Sequence, residues 1–304
     1  MLSFLPGVIR GVLSFLMISV NTVIICICIF IMACLKLAIP AKSWRTVCDR
    51  ILIFMATAWV RNNVLISKLV HQINWDVQGV EKLNSKEWCL VVSNHQSWVD
   101  IFVLQTVFLG RLPFLKFFLK QELIWVPFLG IAWWALDFPF MRRYSHAYLK
   151  KHPHLKGADM ESTKKACQKF KTTPISVMNF MEGTRFTSAK HARQKSPHTH
   201  LLRPKAGGVA FVLGAMGDHL TCLADVTIVY PDGVKNIWEF LCGKVLRIKV
   251  RVETMPIAQE LRQGDYFDDK KYRISVQRWV NALWCKKDMT IKGLLQSNSS
   301  ACSD

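Results

Sequence analysis

Residues 11–35 form an uncharged apolar run, which predicts one long helix able to cross the hydrocarbon core of a bilayer. A second apolar run over 51–60 is too short to span and predicts an interfacial or core helix. Together they predict an N-terminal membrane helix pair within residues 1–70. Beyond it the pattern shortens to strand length. Cys89, Leu90, Val91 and Val92 form one buried-strand run, and residues 174–180 form another. Each is followed at once by polar residues, and functional groups collect where strands end in loops. Residues 245–253 alternate apolar and basic positions, which predicts a half-exposed edge strand. Tyr272, Val276, Trp279, Val280 and Leu283 share one side of residues 268–286, an amphipathic helix pattern. The apolar stretch 123–140 is broken by Pro127, Gly130 and Pro139, so it reads either as ordinary core or as a membrane-facing wall carrying Trp125, Trp133 and Trp134. Residues 298–304 are small and polar and read as a disordered tail. The resulting division is an anchor over 1–70, a folded body over 71–290 and a polar tail over 291–304.

Composition sharpens this picture. The 304 residues are 51% hydrophobic yet carry a formal net charge of +19, a pairing suited to an anionic bilayer surface. Arg10 alone is charged before the apolar run, while Lys36, Lys42, Arg45 and Arg50 follow it, so the positive-inside rule puts the body in the cytoplasm. The run is longer than the apolar part of a usual signal peptide, and cleavage is not expected. The ten cysteines are scattered, without C-x-x-C or zinc spacing, as in reduced cytoplasmic proteins. His152/His154 and His198/His200 form H-x-H pairs in basic loops and read as solvated histidines rather than metal ligands. No metal or cofactor is expected. No G-x-S-x-G or other nucleophile arrangement occurs.

The candidate chemistry begins with His95 and Asp100. A carboxylate about one helical turn beyond a histidine can fix its tautomer and raise the basicity of its other ring nitrogen. The spacing is not selective, because His71/Asp76 and His154/Asp159 share it. Only His95 directly follows a buried-strand run. The second group is Glu182-Gly183-Thr184-Arg185, also at a strand's end. There Arg185 offers a planar fork for phosphate oxygens, Glu182 can hold that arginine or a ligand hydroxyl, and the Gly183 and Thr184 amides can face an oxyanion.

N-H-Q-S-W-V-D at 94–100 followed by F-M-E-G-T-R at 180–185 resembles the glycerolipid acyltransferases of the 1-acylglycerol-3-phosphate O-acyltransferase type. Further blocks resemble the family in order and spacing: Lys120 through Gly130, Phe138 through Arg143, Leu202 through Gly208, and the looser Asp225 through Pro231. The chain departs from the pattern at Asp137, where the family has glycine, and at Arg142, where many relatives have aspartate. The last block reads A-D-V-T-I-V-Y in place of V-P-I-x-I, which resembles the lysocardiolipin-acyltransferase-like branch and bacterial inner-membrane relatives of the YihG type.

The resemblance implies an α/β fold, a mixed sheet flanked by helices. It makes His95 the general base and Asp100 its orienting partner, with no covalent acyl-enzyme. Lys120, Arg143 and Arg185 would grip the acceptor's phosphate, Glu182, Gly183 and Thr184 would shape the site, and Lys205 would contribute. The stretch 123–140 would line a groove for the fatty acid. The implied partners are a lysophospholipid acceptor, foremost 1-acyl-sn-glycerol 3-phosphate, an acyl-CoA or acyl carrier protein donor, and the cytoplasmic face of the inner membrane. The variant Asp137, Arg142 and Tyr230 leave lysophosphatidylglycerol or lysocardiolipin as alternative acceptors. A non-catalytic, membrane-tethered basic protein is the rival from another class. No stacking platform or groove-reading motif points to a specific nucleic acid.

Overall fold

The computed structural model describes residues 2–141, 174–262, 264, 266 and 269–297. Arg142, Arg143, His152, His154, Asp159 and the 298–304 tail lie outside the described residues.

Two long helices come first, α1 (Gly7–Ala38) and α2 (Lys42–Val70), packed against each other. Only α1 is long and apolar enough to cross a membrane, so the expected membrane pair narrows to one such helix among the described residues. The reason is composition: α2 carries Asp49, Arg50, Arg61 and Lys68 along its length. Most of α1 is exposed, with Phe15, Leu16, Val20, Ile24 and Ile31 each about half open or more.

The remaining chain builds a six-stranded sheet in the order β1-β8-β7-β2-β6-β3. Its strands are β1 (Asn74–Gln78), β2 (Trp88–Ser93), β3 (Leu115–Phe117), β6 (Ser176–Phe180), β7 (Leu220–Val229) and β8 (Arg247–Met255). The four strands β7, β2, β6 and β3 are mutually parallel, β8 runs antiparallel to β7, and β1 runs parallel to β8. The basic strand expected at an edge is therefore internal, because β1 covers its outer side and Arg251 pairs with Asp76 across that junction at 2.7 Å. A separate two-stranded ladder joins β4 (Leu119–Lys120) to β5 (Phe140–Met141).

Both faces of the central strand are covered, as its unbroken apolar run requires. Leu90 and Val92 pack with α6 (Gly207–Met216) and α9 (Lys270–Gln296) on one face. Cys89 and Val91 pack with α3 (Val99–Phe108) on the other. The amphipathic helix expected over 268–286 is α9, which runs on to Gln296 and buries Tyr272, Val276, Val280 and Leu283. It is tied to the sheet by a buried ion pair from Lys287 to Asp225, 2.6 Å.

The 123–140 stretch divides between the two readings. After a 3-10 turn (Gln121–Trp125), helix α4 (Leu129–Ala135) buries Ala132 and Ala135, and the residues after it bury Leu136 and Phe138, against α1 and α2. Trp125, Phe128, Ile131 and Trp134 face outward on the same stretch. Gly130 is required by close backbone approach, since a Cβ there would lie 1.9 Å from the Ile124 carbonyl oxygen.

Candidate functional site

Parallel pairing brings the two motif loops together. Ser93 at the end of β2 is in register with Phe180 at the end of β6, so His95 and Glu182 each lie two residues beyond the same rung. Strand β7 runs beside β2 in the same direction and delivers Tyr230 to that edge. The carboxyl ends of parallel strands are where open α/β sheets bind ligands.

Asn94 lets the chain leave the sheet at this point. Its side chain continues the ladder, Nδ2 donating to the Ile228 carbonyl at 2.9 Å and Oδ1 accepting from the Ile228 N–H at 2.9 Å. The backbone is thereby released to turn outward at His95 while the Ile228 N–H and carbonyl stay paired. Asp100 sits in the first turn of α3, fully buried, and its Oδ2 accepts from His95 Nδ1 at 2.8 Å. The same oxygen accepts from the Gln96 and Ser97 amides at 2.6 and 2.9 Å. Its other oxygen accepts from the Tyr230 hydroxyl at 2.6 Å. An aspartate so placed cannot swing, and the helix N-terminus favours its negative charge. Because Asp100 accepts, Nδ1 carries the hydrogen and Nε2 of His95 keeps its lone pair. Phe180 stacks on the imidazole, centroids 3.9 Å apart and planes 14° from parallel.

Glu182 is placed differently from the expectation that it holds an arginine. It is fully buried, with Oε1 accepting from the His95 N–H at 2.9 Å and Oε2 from the Leu202 N–H at 3.0 Å. It therefore clamps three loops at the site. Burial pushes its carboxyl up to about 7, against the downward pull of those two N–H groups. Gly183 takes φ +67°, and Lys205 lies over it, with Nζ 3.5 Å from where a Cβ would stand. Arg185 lies over the exposed Trp98 ring, 4.6 Å from Cζ to centroid. Thr184 accepts from Lys190 Nζ at 2.8 Å, and the same ammonium donates to the Arg185 carbonyl at 2.9 Å. Lys190 lies on α5 (Ser188–Gln194), held at its start by the Thr187 cap. Three cations, Arg185, Lys190 and Lys205, thus surround the loop beside the histidine.

Lys120 is exposed on β4, and its strand pairs with β5 rather than with the main sheet. The candidate Arg143 lies outside the described residues. The geometry adds Asn94, Phe180 and Lys190 to the candidate residues; Asn94 opens the N-H-Q-S-W-V-D block and Phe180 the F-M-E-G-T-R block, whereas no local pattern marks Lys190. Two variant positions expected to bear on the head group are occupied elsewhere. Asp137 takes φ +55°, a left-handed conformation that explains a family glycine there, and its carboxylate meets Lys36 of α1 at 3.1 Å. Tyr230 is buried against Asp100. His198 is buried rather than solvated, and its carbonyl meets His191 Nε2 at 2.6 Å; the His200 N–H donates to Asp288 of α9 at 2.8 Å, and the described residues contain no cluster able to hold a metal.

Residues 74–231 match a family model described as Acyltransferase. The Mus musculus protein 1-acyl-sn-glycerol-3-phosphate acyltransferase epsilon is 25% identical over 191 residues, covering 56% of this chain and 50% of its own. A Pseudomonas aeruginosa protein named 1-acyl-sn-glycerol-3-phosphate acyltransferase is 35% identical over 83 residues, 27% of this chain and 29% of its own. The Homo sapiens gamma form is 24% identical over 249 residues, covering 74% of this chain and 60% of its own. The chain therefore spans between 29% and 60% of the length of these relatives. A crystal structure of the 1-acyl-sn-glycerophosphate acyltransferase PlsC from Thermotoga maritima aligns with 90% of this chain and 97% of its own, at 17% identity and a TM-score of 0.43.

Proposed function

The chain belongs to the Acyltransferase family, and on that premise we propose that it is a membrane-bound enzyme moving a fatty acyl group from an acyl thioester to the free hydroxyl of a lysophospholipid. The preferred acceptor is 1-acyl-sn-glycerol 3-phosphate, the product then being phosphatidic acid. The observation that carries this reading is the His95–Asp100 pair standing at the carboxyl ends of β2 and β6 beside the Arg185, Lys190 and Lys205 cations.

In this mechanism Nε2 of His95 takes the proton of the acceptor hydroxyl, and Asp100 stabilises the imidazolium that forms. The hydroxyl oxygen attacks the thioester carbonyl and gives a tetrahedral oxyanion. The oxyanion reforms the carbonyl, the C–S bond breaks, and the departing thiolate takes the proton from His95. The acceptor phosphate sits among Arg185, Lys190 and Lys205, with Lys120 and Arg143 as further candidates. Several cations around one phosphate supply both affinity and orientation. Glu182 acts by holding the His95 and Leu202 loops rather than by touching the phosphate. Helix α1 anchors the chain in the inner membrane with the body on the cytoplasmic side, where acyl-CoA and acyl carrier protein reside. The outward Trp125, Phe128, Ile131 and Trp134 face lies against the bilayer.

Asp137 and Tyr230, two of the three variant positions that leave room for lysophosphatidylglycerol or lysocardiolipin, are engaged by Lys36 and Asp100, which supports the preferred acceptor. Thiol release from oleoyl-CoA by purified full-length protein, across lysophosphatidic acid, lysophosphatidylglycerol, lysocardiolipin and glycerol 3-phosphate, tests the reading. The expected result is fastest release with lysophosphatidic acid. Fastest release with another acceptor overturns the acceptor, and no release with acyl-CoA or acyl-ACP under any condition overturns the activity.

A further inference from the structure

Asp100 is fully buried, and its two oxygens are loaded unequally. Oδ2 takes the imidazole and two backbone amides, while Oδ1 takes the Tyr230 hydroxyl at 2.6 Å. Tyr230 follows the last residue of β7, and its carbonyl closes a turn by accepting from the Gly233 N–H at 3.0 Å. Tyr230 is buried and belongs to the apolar cluster that also holds Val226, Ile228, Phe240 and Leu241, so the core holds the residue in place without a ligand.

We propose that Tyr230 is a positioning residue for the base: its hydroxyl fixes Asp100 and shares its negative charge, and so sets how strongly Asp100 pulls on His95. The proposal rests on the reading of His95 as the base. A carboxylate with both oxygens satisfied is less basic than one with an empty lone pair in a buried site. With the phenol in place, Asp100 is held to orient the imidazole and to stabilise the imidazolium that forms during the reaction. Burial and the adjacent Asp100 charge raise the phenol well above its ordinary 10, so it remains a donor throughout the working range. Among the described residues, Glu182 from the loop after β6 also faces the pair, its Oε1 taking the His95 N–H, with Arg185, Lys190 and Lys205 around the adjoining loop and Lys287 of α9 acting at longer range on Glu182.

The test is kinetic, on purified full-length protein, with Tyr230→Phe, Asp100→Asn and the double variant. Tyr230→Phe is expected to lower kcat about tenfold with both KM values held within about twofold. The acid limb of its kcat/KM profile should move to higher pH, because a less satisfied Asp100 favours imidazolium. In the Asp100→Asn background, removing the hydroxyl should change kcat by less than about twofold. Unchanged kcat and pH profile in Tyr230→Phe overturns the proposal. So does a raised acceptor KM at unchanged kcat, which would return Tyr230 to the head group, and so does an equal loss in both backgrounds. Should Tyr230→Phe fail to fold, difluorotyrosine at 230 decides: a stronger donor should move the acid limb to lower pH, and an unmoved limb overturns the proposal. His95→Ala is assayed alongside. Activity surviving there removes the base and Tyr230's role together, whereas an inactive His95→Ala with an additive cycle removes Tyr230's role alone.

Discussion

His71 and His95 each precede an aspartate by five residues, and the fold separates them completely. His71 ends α2 and is buried between three elements: its ring nitrogens meet Ser14 Oγ at 3.2 Å, Ser67 Oγ at 3.3 Å and the Leu241 carbonyl at 3.0 Å. Phe240 meets the ring edge-on at 5.1 Å. Asp76 is carried away along β1, where an extended chain rises ~3.3 Å per residue, and it pairs with Arg251 instead. After His95 the chain turns back into the first turn of α3, and Asp100 returns to the ring. Equal spacing therefore gives a staple in one place and a hydrogen-bonded histidine–carboxylate pair in the other. The element that follows the histidine decides which: a strand extends the spacing and a helical turn closes it.

The widest separation between the two regions should come from the aspartates. Asp100→Asn should lower kcat/KM about a thousandfold by losing the imidazole's orientation, while Asp76→Asn should change it less than about twofold; steady-state kinetics read both. An Asp76 effect as large as that of Asp100 would break the comparison. Removing the guanidinium in Arg185→Ala should raise the acceptor KM about tenfold or more and leave kcat nearer the wild-type value, because the group binds charge rather than moving protons.

Stability distinguishes the regions in another way. Burial lowers the His71 pKa from 6.5, so the unfolded chain takes the proton first. The stability His71 lends is present above pH 6.5 and is lost as pH falls below it. His71→Ala should cost roughly 1–3 kcal/mol at neutral pH, visible as a lower melting temperature in detergent, and should flatten its acid slope. Glu182 has the opposite sign. Its folded carboxyl is raised from 4.5 to about 7, so the folded state holds a proton the unfolded chain has released, and stability falls as pH rises through that window. Glu182→Gln should remove that fall, a change of roughly 1–2 kcal/mol between pH 5 and pH 8 in melting experiments on the variant and wild type. A Glu182→Gln variant whose melting temperature keeps the wild-type pH slope would refute the assignment.

Much of the site was legible because strand-ending motifs are local. The buried run 89–92, the His95–Asp100 spacing and the 182–185 block each reported on a few consecutive residues, and parallel pairing of β2 with β6 did the rest. What stayed hidden depends on long-range register. No local pattern says that Tyr230 will meet Asp100, a separation of 130 residues, or that Asn94 will complete a rung with Ile228. The alternation over 245–253 correctly read as a strand, but alternation cannot say whether a neighbour will cover the edge, and β1 does. The two N-terminal helices differ for a plain reason: one run is uncharged throughout, while the other is short and set between charged residues.

The central claim is that His95, and not a histidine of the same spacing elsewhere, moves the proton. Phosphatidic acid formation from labelled oleoyl-CoA and lysophosphatidic acid, followed by mass spectrometry in matched membranes carrying wild type, His95→Ala or His71→Ala, tests it most directly. The account predicts product from wild type and His71→Ala and a loss of about a thousandfold or more in His95→Ala at equal protein level. Product from His95→Ala at a rate near wild type would contradict it.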